Sequence, residues 1–117
     1  MITGTVTAEG VPVITLIVAG QAWPATIDTG FNGDLELPDT LRSFVNARLV
    51  GQVHSLLAGG QSIVEDAFLV DFPFDGQTMR VQATFAAVAE ILIGTHLLRH
   101  YRLEIDFVQQ TVLLETA

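Results

Sequence analysis

The sequence predicts an all-β domain with two short helices, and three observations carry that reading. Val, Ile, Thr and Phe gather in short runs, glycine punctuates those runs every ten residues or so, and Ala19-Gly20-Gln21 and Asp75-Gly76 are turn signals between apolar segments. Taken in order, strands are expected near 2–7, 11–18 and 22–28, the last two joined by the tight turn at Ala19-Gly20-Gln21. Further strands are expected near 48–57, 61–72, 77–88, 90–93, 102–107 and 111–115.

Two helices interrupt the pattern. Leu37-Pro38-Asp39-Thr40-Leu41-Arg42-Ser43-Phe44 carries proline where a first helical turn tolerates it, with apolar residues at helical spacing behind it. Thr95 is placed to cap a second helix running to Tyr101, with Leu97, Leu98 and Tyr101 as its inward face.

Composition bounds the rest. A chain of 117 residues suits one core, and no linker, repeat or low-complexity tract divides it, so residues 1–117 are read as a single domain. Half of the residues are hydrophobic and 15% are charged, which gives ample core material and no signature of disorder. Thirteen acids face five arginines and no lysine, for a formal charge of −8, so nucleic acid is an unfavourable partner. There is no cysteine, hence neither a disulfide framework nor a thiol nucleophile. The start, Met1-Ile2-Thr3-Gly4-Thr5, lacks a basic segment followed by a sustained apolar one, and no later run approaches a membrane span. A soluble cytoplasmic protein with no membrane partner is the expectation.

The chemistry is concentrated at Ala25-Thr26-Ile27-Asp28-Thr29-Gly30, where an acid and a glycine follow directly on an apolar strand. A chain leaving a sheet exposes its next residues, which is a suitable position for a reactive group. A carboxylate acts there as a general base only when its proton affinity is tuned, and a second carboxylate sharing one proton supplies the tuning. Gly30 lets the backbone turn close to the carboxylate, and the Thr29 hydroxyl can tie the loop down. The triplet alone arises by chance in roughly one chain in forty of this length, and Asp with Gly is often only a turn. A second feature raises its weight: Ile91-Leu92-Ile93-Gly94, about sixty residues on, is an apolar strand ending in glycine.

These two motifs in this order, with a glycine-bearing hairpin between them, resemble the retropepsin-like family of aspartic peptidases from about Val13 to Glu115. The resemblance implies a closed acid-protease barrel working as a homodimer on a polypeptide substrate, with no metal or organic cofactor. It implies that Asp28 is the catalytic acid, that the Thr29 hydroxyl bonds across the dimer axis, and that Gly30 lies beside the carboxylate. Leu92, Ile93 and Gly94 would run behind the catalytic loop and support it. The hairpin around Ser55-Leu56-Leu57-Ala58-Gly59-Gly60-Gln61 would be the flap, with Leu57, Ala58, Gly59 and Gly60 touching substrate together with Phe31 and Asn32. A water held between two Asp28 carboxylates would attack the scissile carbonyl. Such sharing of one proton between two close carboxylates is general to aspartic proteases.

Asp28-Thr29-Gly30-Phe31-Asn32-Gly33 followed by Leu35-Glu36-Leu37-Pro38 looks more like small bacterial predicted aspartyl proteases than viral ones. Phe31 stands where retroviral enzymes have a small residue, and Asn32 and Thr95 stand where many of them pair an Asp with an Arg. Arg102 to Phe107, Val108-Gln109-Gln110 and Thr111 to Glu115 read as a hairpin within one chain, whereas retroviral enzymes interleave terminal strands between protomers. A second Asp-Thr-Gly is absent, and length and motif count together exclude a two-lobed pepsin-like enzyme in one chain.

Other residues carry weaker readings. His96 and His100 have the spacing to face one metal, but no third ligand accompanies them, so two surface histidines are the better reading. His54 is read as an exposed strand residue and Trp23 as filler at the core edge. Asp34, Asp39, Asp66, Asp71, Asp75 and Asp106 lack the Thr-Gly context and are read as solvated or turn acids. The rival function is a non-catalytic peptide-binding or dimerisation module that retains the protease fold.

Overall fold

Burial alternates along β2 (Pro12–Val18) although Thr15 is its one polar residue: Ile14, Leu16 and Val18 are buried while Thr15 and Ile17 face outward. In this computed structural model, which describes residues 1–56 and 59–117, the same alternation recurs across the sheet. It buries Ala25 and Ile27 in β3 (Gln21–Ile27) and Val112 and Leu114 in the final strand. The remaining strands are β1 (Ile2–Val6), β4 (Leu35–Pro38), β5 (Asn46–Leu56), β6 (Ser62–Phe74), β7 (Gln77–Ala86), β8 (Ile91–Ile93), β9 (Tyr101–Asp106) and β10 (Thr111–Thr116). The chain is mostly β, as its composition predicts, and Phe72, Phe74, Ile14, Leu35, Leu37, Ile91, Ile93 and Leu114 form the centre of one continuous core.

All ten strands join one sheet in the order β5-β6-β7-β4-β8-β3-β2-β1-β10-β9. Neighbours are antiparallel except β3 with β8 and β4 with β7. Two expected turns form two-residue hairpins: Ala19-Gly20 and Asp75-Gly76 each take positive φ at both positions, the backbone that matches the twist of the flanking strands. The terminal hairpin also forms within the chain. β9 pairs with β10 and β10 with β1, and Asp106 Oδ1 accepts the Gln109 amide at 2.9 Å to close the turn.

Three expectations are corrected. The barrel does not close: among the described residues no ladder joins β5 to β9, so the sheet has two free edges. The reason lies in β5, whose side chains are mostly exposed; it pairs only with β6 and has no buried row to turn toward the core. The first helix begins two residues late and is a 3-10 helix over Asp39–Phe44, because Leu37 and Pro38 complete β4, where Leu37 is fully buried. The second helix is a run of turns over 95–100. Its first two amides are taken by the loop after β3, since Thr95 N donates to Phe31 O and His96 N to Gly33 O. The later bonds, Arg99 N to His96 O and Tyr101 N to Leu98 O, each span three residues, so no four-residue ladder starts. Leu97 and Leu98 still face inward, and the Tyr101 ring stands edge-on to Phe74 with centroids 5.5 Å apart.

Candidate active site

Strands β3, β8 and β4 lie side by side and set the position of Asp28. Ala25, Thr26 and Ile27 pair in parallel with Ile91, Leu92 and Ile93, while Leu35 and Glu36 pair antiparallel with Ile93 and Leu92. The alternation along each strand sends Ala25, Ile27, Ile91, Ile93, Leu35 and Leu37 into the core. It leaves Thr26, Leu92 and Glu36 as a half-buried row across the opposite face. Asp28 follows Ile27 and continues that second face, half-buried at the point where β3 leaves the sheet.

The loop from Asp28 to Asp34 is fixed by backbone bonds to β8 and the turns beyond it. The Asp28 amide donates to Ile93 O at 2.9 Å, which anchors the backbone to β8, and Gly30 N donates to Asp28 Oδ1 at 2.9 Å, which orients the carboxylate. Phe31 N donates to Asp28 O, and Phe31 O accepts both the amide of Thr95, at 2.8 Å, and its hydroxyl, at 3.3 Å. Gly94 N donates to Asp34 O at 2.9 Å. A Cβ on Gly94 would collide with the Gly33 carbonyl oxygen and come within 2.9 Å of the Phe31 ring, so only glycine permits this approach.

Asp34 is 7% exposed, which corrects its reading as a solvated turn acid. Its Oδ2 accepts the Gln82 amide of β7 at 2.9 Å, and its Oδ1 lies 2.6 Å from His96 Nδ1. The side chain thereby ties the loop after β3 to β7 and to the segment after β8. A buried carboxylate is tolerable only with such partners. His96 and His100 are both exposed, as read from the sequence, and His96 is in addition the partner of Asp34. Among the described residues no group of three His, Cys, Asp or Glu side chains is arranged to hold a metal ion.

Of the residues singled out in the sequence, Asp28, Thr29, Gly30, Leu92, Ile93 and Gly94 come together around this loop. Phe31 is half-buried beside Gly33 and Gly94, and Asn32 is exposed on the loop. Gly59 and Gly60 lie at the end of the β5–β6 hairpin with φ of 105° and 84°, and Leu57 and Ala58 lie outside the described residues. The places of Asp34, His96 and Glu36 beside this loop are not marked by any local motif. The one signal for Glu36 is its position in the alternating run Leu35-Glu36-Leu37, where the two leucines must face the core and the acid must face away. Burial, and secondarily the nearby Glu65 carboxylate, pushes the Glu36 carboxyl above its ordinary value.

By sequence, the chain matches no family model and no curated protein. Solved structures do match. A retropepsin-like aspartic protease from Rickettsia conorii superposes with a TM-score of 0.67 at 16% identity, over 97% of this chain and 88% of that one. The EIAV protease complexed with the inhibitor HBY-793 gives 0.60 at 15% identity, over 80% of this chain and 89% of that one. The foamy viral protease-reverse transcriptase in complex with an RNA/DNA hybrid gives 0.59 at 15% identity, over 83% of this chain and 13% of that much longer one. At such identities the likeness is one of fold, and the chain has a retropepsin-like fold.

Proposed function

We propose that the protein is an aspartic endopeptidase that acts as a homodimer, with Asp28 of each copy contributing one carboxylate to a shared site. The observation that carries this reading is the Asp28 loop itself: a half-exposed carboxylate, oriented by Gly30 N and anchored through its own amide to Ile93, on a fold shared with aspartic proteases. One chain supplies one such carboxylate, and the chemistry needs two on a common water, so the site lies on a two-fold axis. There the ionised Asp28 takes a proton from water as the water oxygen attacks the scissile carbonyl. The protonated Asp28 of the other copy donates to the carbonyl oxygen. Thr29 and Gly30 of both copies meet around the axis, and Leu92, Ile93 and Gly94 support the loop from behind.

The substrate in this reading is a polypeptide lying extended, bonded through its backbone as an added strand, with the β5–β6 hairpin as a flap above it. Phe31 and Asn32 border the carboxylate, and Gly59 and Gly60 contact the peptide from the hairpin. No metal or organic cofactor takes part.

The test is Asp28→Asn, which removes the shared proton at nearly constant volume. The variant retains the wild-type melting temperature and loses peptide cleavage by about a thousandfold or more. Wild-type activity is blocked by a hydroxyl-bearing statine-type peptide mimic and is indifferent to chelators. Undiminished cleavage by folded Asp28→Asn protein would refute the assignment, and binding of peptides without any cleavage by wild-type protein would favour a non-catalytic module.

A further inference from the structure

A cavity of about 380 Å3 opens on the same sheet face as Asp28, lined by Thr26, Glu36, Leu92 and the segment from Val88 to Ile91. Its placement follows from register. Thr26 lies two residues before Asp28 and therefore on the same side of β3, Leu92 is its partner on β8, and Glu36 is the partner of Leu92 on β4. The cavity thus shares the face of the sheet that Asp28 continues, beginning two residues before it at Thr26, and Asp28 itself is not part of its lining. Its volume falls at the lower end of the range, about 300–1,000 Å3, that holds a small ligand or a long side chain.

The charged groups lining this cavity are both acidic. Glu36 stands on the floor, and Glu90 is held at the rim, where its Oε2 accepts the Thr26 hydroxyl at 2.9 Å. A third acid, Glu65 of β6, is close enough to oppose ionisation of Glu36. The cations that the structure places in contacts are engaged elsewhere. Arg80 pairs with Asp71, Arg102 with Glu104 and Glu115, Arg99 donates to His96 O, and Arg42 lies over the Phe68 and Phe85 rings. Among the described residues no ion pair uses Glu36, Glu65 or Glu90. Glu36, half-buried in the cavity with the Glu65 charge opposing its own, gains most from a cation brought from outside, and the exposed Glu90 adds negative charge at the rim.

We propose that this cavity is a specificity pocket for a basic substrate side chain, arginine or lysine, close to the scissile bond, with Glu36 as the selecting carboxylate. The proposal rests on the peptidase reading for the identity of the cleft, and its test separates the two. Asp28→Asn protein, silenced but folded, is titrated by fluorescence anisotropy with labelled ten-residue peptides. Each carries one arginine, or its neutral isostere citrulline, at a position scanned along the sequence.

The arginine peptide of the best register binds about tenfold tighter than its citrulline twin. Adding Glu36→Gln brings the two within about twofold, and Glu90→Gln at the rim causes a smaller loss of the same sign. Equal affinity for arginine and citrulline at every position, a preference that survives Glu36→Gln, or failure of every peptide to bind would overturn the pocket. The same peptides are offered to wild-type protein. Selective binding without cleavage overturns the peptidase and leaves the pocket standing, and cleavage without preference does the reverse.

Discussion

Around Asp28, strands β3, β4 and β8 hold Ala25, Ile27, Leu35, Leu37, Ile91 and Ile93 at 3% exposure or less, whereas the β5–β6 hairpin leaves Leu49, Val50, Leu56 and Val64 between 49% and 78% exposed. The first region is pinned by core packing, by Gly94 against Gly33 and by Asp34 bonded on two sides. The second is paired to β7 only over Phe68 to Phe74, and beyond that stretch it is held chiefly by its own ladder, with a register break between Leu49 and Gly51. A reacting group is best carried where its neighbours cannot move, and a surface that must admit and release a chain is best built where few contacts oppose opening. The contrast supports a division of the proposed cleft into a fixed floor and an adaptable cover.

The sharpest way to break the comparison is to place the same small change in both regions. Gly94→Ala drives a methyl group into the Gly33 carbonyl and should cost about 3 kcal/mol, lowering the melting temperature by about 10 °C. Gly60→Ala meets no atom of the described residues within 4 Å, and its expected strain is that of a φ of 84°, about 1 kcal/mol. Thermal unfolding of the two variants side by side checks this. An equal loss would mean that the floor is no more tightly determined than the hairpin.

Asp34→Ala comes between them. It leaves the Gln82 amide without its acceptor and frees His96, at a cost of about 2 kcal/mol. Because the tie runs to the Asp28 loop, any peptidase activity should fall by more than the loss of folded protein accounts for. Activity that tracks the folded fraction alone would reduce Asp34 to a purely structural acid.

The smallest effect is the most diagnostic of electrostatics. Burial and then Glu65 raise the Glu36 carboxyl in the folded chain above its ordinary 4.5. The stability this group contributes is therefore full below that value and is lost as pH rises through the raised one. Glu36→Gln should melt higher than wild type near neutrality, by a few degrees at most, and the advantage should vanish below pH 4.5. Melting curves at the two ends of that window decide it, and a Glu36→Gln variant less stable near neutral pH would show that Glu36 has a favourable partner.

Much of this arrangement is legible in the sequence, for identifiable reasons. The hairpins at Ala19-Gly20 and Asp75-Gly76 are each marked by a glycine suited to positive φ, and strands such as β2 are apolar runs bounded by turn signals. Asp28-Thr29-Gly30 and Gly94 stand out because glycine beside an acid and glycine ending an apolar run are local patterns. β4 and β8 have four and three residues, too few for a period, so Leu37-Pro38 reads as a helix start until β4 is seen between β7 and β8. The turns after Thr95 imitate a helix in spacing, and only the carbonyls of Phe31 and Gly33, more than sixty residues away in sequence, divert their amides. Burial of Asp34 depends on the same long-range meeting. Closure of the barrel is implied by the resemblance alone, and the exposed β5 leaves the sheet open.

None of the proposed chemistry is available to one copy of the chain, so the peptidase proposal stands or falls with a site shared between two. The direct measurement is peptide cleavage by a fixed amount of wild-type chain mixed with increasing Asp28→Asn chain, equilibrated before assay. Shared carboxylates predict that activity falls toward zero as wild-type chains are drawn into mixed pairs, each holding one Asp28. Activity that stays constant while sedimentation shows mixed pairs forming, or full activity from a strictly monomeric chain, would contradict it.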